Sequence, residues 1–226
     1  MPASLQCTFL RQPVFGRIQV LVDTIATTKR ATASEVVLRQ HGMTFAKAVV
    51  WTVDNDLDGM AHNNSPMPKV EPPEAYTSIE TILPPTVEVR FGDIWKAVED
   101  RPINFDFENW RRPLDDPRLL GWYRFRPTSK FADWYVDAAR PVILIDILQF
   151  GAALASSPRN AEFLAVSLDL TVHFHRPRTD SEWLLVEAQS PVALAGLVNG
   201  RTAIWSTDGS LIATGCQQML CRPRRR

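Results

Sequence analysis

The sequence predicts an α+β fold in which two groups of antiparallel strands accompany one buried helix. Three observations predict it. Residues 1–53 are rich in β-branched side chains with turn signals between them, residues 142–148 form an apolar run, and residues 166–175 alternate strictly between apolar and polar side chains. A period of two is typical of half-buried strands, whereas a dense apolar run fits a helix that is buried on most of its surface.

The N-terminal region is expected to be an antiparallel meander of four strands. Their β-branched composition and the turn His41-Gly42 favour strands at residues 4–10, 17–27, 31–40 and 43–53. The composition then changes, because residues 54–86 carry six prolines and few consecutive apolar residues. We therefore divide the chain into a partial N-terminal unit (1–53), a linker that crosses the surface (54–86) and a C-terminal unit (87–226).

The C-terminal unit is expected to place one helix among further strands. The helix spans about 133–155, and Pro141 fits an early helical position. Periodicity alone does not separate this apolar run from a strand. Strands are expected at residues 87–91, 103–107, 119–126, 166–175, 183–189, 193–206 and 211–221.

Turn signals and an internal repeat organise these strands. Asp208-Gly209 predicts a two-residue hairpin turn, and Asn199-Gly200 satisfies the same pattern. The strand ending in Phe9-Leu10-Arg11-Gln12-Pro13 resembles the one ending in Phe174-His175-Arg176-Pro177, and three further strands follow each. Two copies of one unit are implied, of which the first lacks its helix.

Composition excludes several function classes. Lys plus Arg and Asp plus Glu number 25 each, so no net charge attracts a polyanion and a nucleic-acid partner is not expected. No membrane span is expected, since Asp146 interrupts the longest apolar run. Three cysteines favour reduced thiols, and no export signal is visible at Met1 to Leu5, so we expect a cytoplasmic protein.

Asp146 is the most informative residue for chemistry. It interrupts an apolar helix with no basic residue within four positions. Either one helix face meets solvent there, or the carboxylate is buried for a functional reason, which would move its pKa towards that of a general base. The sequence has no Gly-x-Ser-x-Gly nucleophile elbow and no metal-ligand spacing around His173 and His175, so neither a metal nor a cofactor is expected.

Three segments carry a family resemblance. Residues 167–177 (SLDLTVHFHRP), 182–185 (EWLL) and 208–217 (DGSLIATGCQ) resemble the type II acyl-CoA thioesterase family. The resemblance implies a double hotdog fold with two antiparallel sheets, the second with its central helix, and the first N-terminally incomplete and without a helix. It covers about 141–222 well and 4–53 loosely. It also implies that the strand through Gly200 continues without a turn, where glycine allows close approach to the helix.

The resemblance further implies a site and a reaction. Asp146, Ser167 and Gln217 correspond to the catalytic positions, and Val50 stands where the first copy would need its glutamine, so one site per chain is expected. Ser167 is expected to share its strand face with Asp169 and its alternating neighbours. The implied reaction is hydrolysis of an acyl-CoA to free acid and CoA, with Asp146 accepting a proton from a water that Ser167 and Gln217 position. A covalent acyl-aspartate is the competing mechanism.

The sequence leaves two other function classes open, and the resemblance also implies an assembly state. Without its first helix, the N-terminal sheet would expose an apolar face, which suits a non-catalytic acyl-CoA-binding or assembly protein. An enoyl-CoA hydratase of the same fold would require a histidine near the helix, and none occurs between His62 and His173. Related hotdog proteins pair their sheets, so a homo-oligomer acting in lipid metabolism is expected.

Overall fold

The structure is a computed structural model that describes residues 1–82, 93–104, 115–157, 162–176 and 178–224. Within these residues three α-helices accompany eleven strands. The helices are α1 (Ile79–Ile82), α2 (Trp134–Asp137) and α3 (Ala139–Ala155). The strands are β1 (Pro2–Phe9), β2 (Gln19–Thr27), β3 (Ala31–Gln40), β4 (Met43–Val53), β5 (Val98–Pro102), β6 (Arg118–Phe125), β7 (Phe163–Ser167), β8 (Asp169–Phe174), β9 (Trp183–Leu194), β10 (Leu197–Ser206) and β11 (Leu211–Pro223).

All the strands join one antiparallel sheet, so the predicted α+β class is confirmed. The strand order is β2-β3-β4-β1-β8-β11-β10-β9-β6-β5, and β7 pairs with β11 beside this path. The halves β1-β4-β3-β2 and β8-β11-β10-β9 have the same strand order, as expected of an internal repeat. They pair with each other through their first strands, β1 and β8. The two expected sheets are therefore continuous, because Leu5 of β1 pairs with Val172 of β8.

Helix α3 packs on one face of the C-terminal half, which we call the helix face. Leu144, Ile145 and Leu148 are buried there against strands β6 and β8–β11. Arg140 fixes the start of the helix, since it donates to the Asp137 carboxylate at 2.7 Å and to the Ser181 carbonyl oxygen at 3.0 Å. Helix α3 packs mainly on the C-terminal half, and β1 contributes Leu5, Cys7 and Phe9 to the edge of the same core.

The segment Trp134–Ala155 is long and apolar enough to cross a membrane by length and composition alone. This contrasts with the expectation that Asp146 makes the run too short. Half of its most apolar window is buried against the protein, and core helices of soluble proteins meet the same criterion. The finding is therefore weak support for a membrane span.

The opposite face of the sheet carries a tryptophan cluster that the predicted linker covers. The Nε1 group of Trp205 donates to the Ser65 carbonyl oxygen at 3.1 Å, and that of Trp122 donates to the Glu71 carbonyl oxygen at 3.1 Å. Residues 65–76 are thus attached to the sheet through buried indoles. The division at 53/54 and 86/87 stays a prediction, and residues 83–92 lie outside the described part.

Several predicted strands need correction. The expected strand 193–206 is wrong, because the chain turns at Ala195 and Gly196, whose φ angles of 52° and 81° are those of a type I′ hairpin. Alanine rarely adopts a positive φ, so the pair gave no turn signal. Asp208-Gly209 does lie in a turn, but the loop between β10 and β11 has four residues.

Two short strand predictions fall at the edge of the described chain. Strand β5 ends at Pro102, so the predicted strand 103–107 starts too late, and its last three residues lie outside the described part. The predicted strand 87–91 also lies outside it. The predicted strand 183–189 ends too early, because β9 continues to Leu194. The remaining predicted strands, together with the helix, match the structure to within a few residues, except at Leu168, which is described below.

Candidate active site

The three predicted site residues meet between α3 and the helix face of the sheet. The Ser167 hydroxyl donates to Oδ1 of Asp146 at 3.4 Å. The Gln217 amide donates through Nε2 to the backbone carbonyl oxygen of Asp146 at 2.8 Å. Strand β11 brings them together, because it carries Gln217 and pairs with β7, which ends at Ser167.

Ser167 reaches this site because a bulge separates β7 from β8. Met219 pairs with Ser167, whereas Cys216 pairs with Thr171, so the β7–β8 side contains one extra residue, at Leu168. An extra residue changes the face of every side chain that follows it. The expectation that Ser167 shares a face with Asp169 is therefore wrong: Ser167 points to the helix, and Asp169 is exposed.

Gln217 lies on the helix face of β11 and contacts the helix backbone. The side chain is 1 % exposed, and its amide hydrogen bond goes to the helix backbone rather than to the carboxylate. The same contact attaches α3 to β11 beside Asp146. Its Oε1 atom is buried and accepts no hydrogen bond from the described protein, so this acceptor is available to a ligand.

The environment of Asp146 favours a proton acceptor. Burial raises the pKa of its carboxyl group above the usual range, and the hydrogen bond from Ser167 opposes part of that rise. The alternative in which Asp146 lies on a solvated helix face does not hold, because the residue is only partly exposed and faces β7 and β11. A raised carboxyl pKa is typical of acids and bases that work near neutral pH.

The N-terminal half contributes Cys7 to the same region, which the sequence analysis missed. Burial raises the pKa of the Cys7 thiol, and the neighbouring Asp146 carboxylate raises it further. A thiol with a raised pKa stays protonated at neutral pH and is a poor nucleophile. Cys7 therefore forms part of the wall near the carboxylate, and Asp146 is the group there that is suited to accept a proton.

Two further polar residues were also missed. Gln149 is fully buried one turn after Asp146, and neither polar atom of its amide has a partner in the described protein. It packs against Gly200, where an added Cβ would lie 2.1 Å from Gln149 Oε1, so the predicted close approach of Gly200 to the helix is confirmed. The Thr202 hydroxyl, on the same face of β10, is likewise buried without a partner. The signal for Gln149 was a second polar residue in the apolar helix.

Comparisons with known proteins agree with this architecture. Residues 71–221 match a family model described as the acyl-CoA thioesterase C-terminal domain. Human acyl-coenzyme A thioesterase 8 is 28 % identical over an alignment of 236 positions that covers 97 % of this chain and 72 % of the human protein, and the mouse protein gives the same values.

Solved structures show the same fold at lower identity. An acyl-CoA thioesterase II from Mycobacterium marinum superimposes with a TM-score of 0.78 at 21 % identity, covering 99 % of this chain and 81 % of the other. A hot dog fold protein of unknown function from Alicyclobacillus acidocaldarius gives 0.79 at 18 % identity, covering 99 % and 80 %. Because the family model matches more than half of the residues, the chain belongs to the acyl-CoA thioesterase family and is a thioester hydrolase with the hotdog fold.

Proposed function

We propose that this chain hydrolyses acyl-CoA thioesters to the free acid and CoA by direct attack of a water that Asp146 deprotonates. The observation that carries the proposal is the convergence of three groups at one point. The partly buried Asp146 carboxylate, with its raised pKa, accepts a hydrogen bond from Ser167, and the buried Gln217 amide donates to the backbone carbonyl oxygen of the same residue. Family membership supplies the class of substrate.

The hydrogen bonds assign a different task to each residue. Ser167 donates to one oxygen of the carboxylate and so fixes its orientation. Gln217 uses Nε2 to hold the helix backbone, which leaves Oε1 as an acceptor near Asp146. A water that donates one hydrogen to the Asp146 carboxylate and the other to Gln217 Oε1 has its lone pair free to attack a carbonyl carbon.

The reaction then proceeds in two steps. The water oxygen bonds to the thioester carbon while its proton moves to Asp146, and the carbonyl oxygen becomes an oxyanion. The tetrahedral intermediate collapses, the C–S bond breaks, and the proton on Asp146 passes to the departing CoA sulfur. General-base assistance of this kind typically contributes about 10² to 10⁴ in rate.

The decisive variant is Asp146→Asn, with Asp23→Asn as the matched control on an exposed position of β2. CoA release is followed with a thiol reagent on purified protein. We expect Asp146→Asn to lose a factor of about 10² to 10⁴ in kcat, as expected when a general base is removed, and Asp23→Asn to match the wild type. Equal CoA release by the wild type and Asp146→Asn would overturn the proposal.

Transient kinetics distinguish a covalent acyl-aspartate mechanism from direct water attack. Rapid mixing of enzyme and substrate reports CoA in the first turnover. Accumulation of an acyl-enzyme would give a burst of CoA equal to the enzyme concentration. Direct water attack predicts that CoA and free acid appear together.

A further inference from the structure

Two buried polar side chains beside the active site have no role in the proposed reaction. Gln149 on α3 is 0 % exposed and Thr202 on β10 is 4 % exposed. Within the described part of the chain, neither polar atom of the Gln149 amide has a hydrogen-bond partner, and the Thr202 hydroxyl has none either. Bulk water does not reach these groups. Buried polar groups without a partner are rare in native proteins, because each one costs free energy.

The sheet register connects Gln149 to the active site. The Gln149 side chain lies on Gly200, and Gly200 is paired with Gln217 on β11. Paired residues of neighbouring strands hold their side chains about 5 Å apart. Gln217 in turn donates to the backbone carbonyl oxygen of Asp146. The unpaired amide of Gln149 is therefore next to the amide that we propose orients the water.

The same register places Thr202 beside the helix turn of Asp146. Thr202 is paired with Gly215 on β11. Helix α3 approaches Gly215 closely, because an added Cβ there would lie 2.8 Å from Cγ2 of Ile145. Ile145 directly precedes Asp146, so the Thr202 hydroxyl faces the helix at the level of the carboxylate.

The spacing of the two groups suits one shared ligand atom. Gly200 and Thr202 are two residues apart on the helix face of β10, or about 7 Å along the strand. Helix side chains lean towards the N-terminus of their helix, so the Gln149 amide leans towards the turn that Thr202 faces. A gap of this size is about twice the length of a hydrogen bond of about 2.9 Å. One oxygen between the two groups can bond to both.

Hydrogen-bonding capacity favours a hydroxyl group. The Gln149 amide offers donors at Nε2 and an acceptor at Oε1, and the Thr202 hydroxyl both donates and accepts. A ligand hydroxyl also donates and accepts, so it can serve both side chains. A ketone oxygen only accepts and would leave Gln149 Oε1 without a donor. A hydrocarbon would leave every one of these groups unpaired.

The distance from Asp146 indicates where this hydroxyl belongs on the substrate. Gln149 follows Asp146 by three residues, or about 4.5 Å along the helix axis. Three bonds of about 1.5 Å join the thioester carbon to an oxygen on the third acyl carbon, and they span roughly 4 Å. We propose that Gln149 and Thr202 bind the hydroxyl of a 3-hydroxyacyl-CoA and so select this class of substrate, an inference that rests on the proposed function.

Substrates that differ by one hydroxyl test the proposal. Both enantiomers of 3-hydroxybutyryl-CoA are compared with butyryl-CoA. We expect the better enantiomer to exceed butyryl-CoA in kcat/KM at least about tenfold, because butyryl-CoA leaves the buried groups unpaired. Gln149→Leu and Thr202→Val remove the hydrogen bonds at similar side-chain size, so this ratio falls towards one. Gln19→Leu and Thr27→Val make the same changes at exposed positions of β2 and keep the wild-type ratio.

Thermal unfolding shows whether the two site variants are folded. Gln149→Leu removes an unpaired buried amide, so we expect its Tm to be no lower than that of the wild type. Thr202→Val keeps the shape of the side chain and decides the test if Gln149→Leu does not fold.

A binding measurement distinguishes failure of this inference from failure of the proposed function. The thioethers S-(3-hydroxybutyl)-CoA and S-butyl-CoA are titrated into the wild type and Thr202→Val by calorimetry. A hydroxyl preference that Thr202→Val loses supports the inference even if no thioester is hydrolysed, in which case the proposed function fails.

Three results would overturn the inference while leaving the proposed function intact. Hydrolysis without a hydroxyl preference in the wild type is the first. The second is a preference that both Gln149→Leu and Thr202→Val leave unchanged; in either case the two side chains bind an ordered water only. The third is a larger kcat/KM for 3-oxobutyryl-CoA than for either hydroxyl enantiomer, since the site would then recognise a carbonyl oxygen.

Discussion

Gly200→Ala tests whether helix and sheet approach as closely as the site requires. An alanine Cβ at this position would lie 2.1 Å from Oε1, 2.4 Å from Cβ and 2.7 Å from Cδ of Gln149. The Gln149 Cβ is attached to the helix backbone, so a rotamer change cannot relieve the contact and α3 itself must move. Overpacking of a buried interface costs about 1 to 3 kcal/mol, and we expect the upper part of this range.

Urea denaturation measures the loss of unfolding free energy, and a kcat assay reports whether the active site is displaced. Asp146 lies one turn from Gln149, so displacement of α3 also separates the carboxylate from Ser167, and kcat falls together with the unfolding free energy. Gly59→Ala is the control, because nothing lies within 4 Å of its added Cβ, and we expect a change within about 0.5 kcal/mol.

A double variant locates the source of the strain. Adding Gln149→Ala to Gly200→Ala removes the contacts at 2.1 and 2.7 Å but leaves the one between the two Cβ atoms. We therefore expect only partial recovery of stability. A Gly200→Ala protein as stable as the control variant would refute the close approach.

Two predictions concern ionisation. Burial raises the pKa of Asp100 to about 7, although a hydrogen bond from Tyr123 opposes part of the rise. The same carboxyl group in the unfolded chain has a pKa of about 3.9. Its contribution to stability is therefore complete below about pH 4 and lost as the pH rises through 7. We expect Asp100→Asn to exceed the wild type in unfolding free energy at pH 8 but not at pH 4; equal pH dependence of the two proteins would contradict this. For catalysis, kcat/KM falls on the acid side as Asp146 is protonated, and Ser167→Ala moves this limb to higher pH, because the hydrogen bond that lowers the pKa is lost. A limb that stays in place would show that Asp146 is not the titrating base.

The strands that carry the site illustrate how far local sequence patterns reach. Gln217 lies on the face that simple alternation gives it, because β11 alternates without interruption from Ala213 to Met219. Ser167 was assigned to the wrong face because the bulge at Leu168 has no signature in residue type. The register on β11 creates this bulge, and that register depends on strands far away in the sequence.

Long-range pairing explains what else the sequence could not predict. Cys7 reaches Asp146 because β1 pairs with β8, which joins the two halves of the sheet. Periodicity reports which face of a strand is buried, but not which strand lies beside it. The turn at Ala195-Gly196 was hidden for a different reason, since its geometry requires a positive φ at a residue that seldom adopts one. The predictions of a homo-oligomer and of a cytoplasmic protein stay predictions.

The distribution of buried polar groups separates function from stability in this protein. Leucine-like side chains at 146, 149 and 217 would bury more apolar area and leave no amide or carboxylate without a partner. Yet the buried atoms without described partners near α3 include both polar atoms of Gln149, the Thr202 hydroxyl and Oε1 of Gln217, all around the helix turn of Asp146. Native proteins satisfy nearly all buried polar groups, and exceptions of this kind concentrate where a substrate or a reacting water is bound. The apolar remainder of α3 supplies the burial that offsets this cost. The same helix thus packs on the sheet through Leu144 and Leu148 and presents the Asp146 carboxylate beside Ser167.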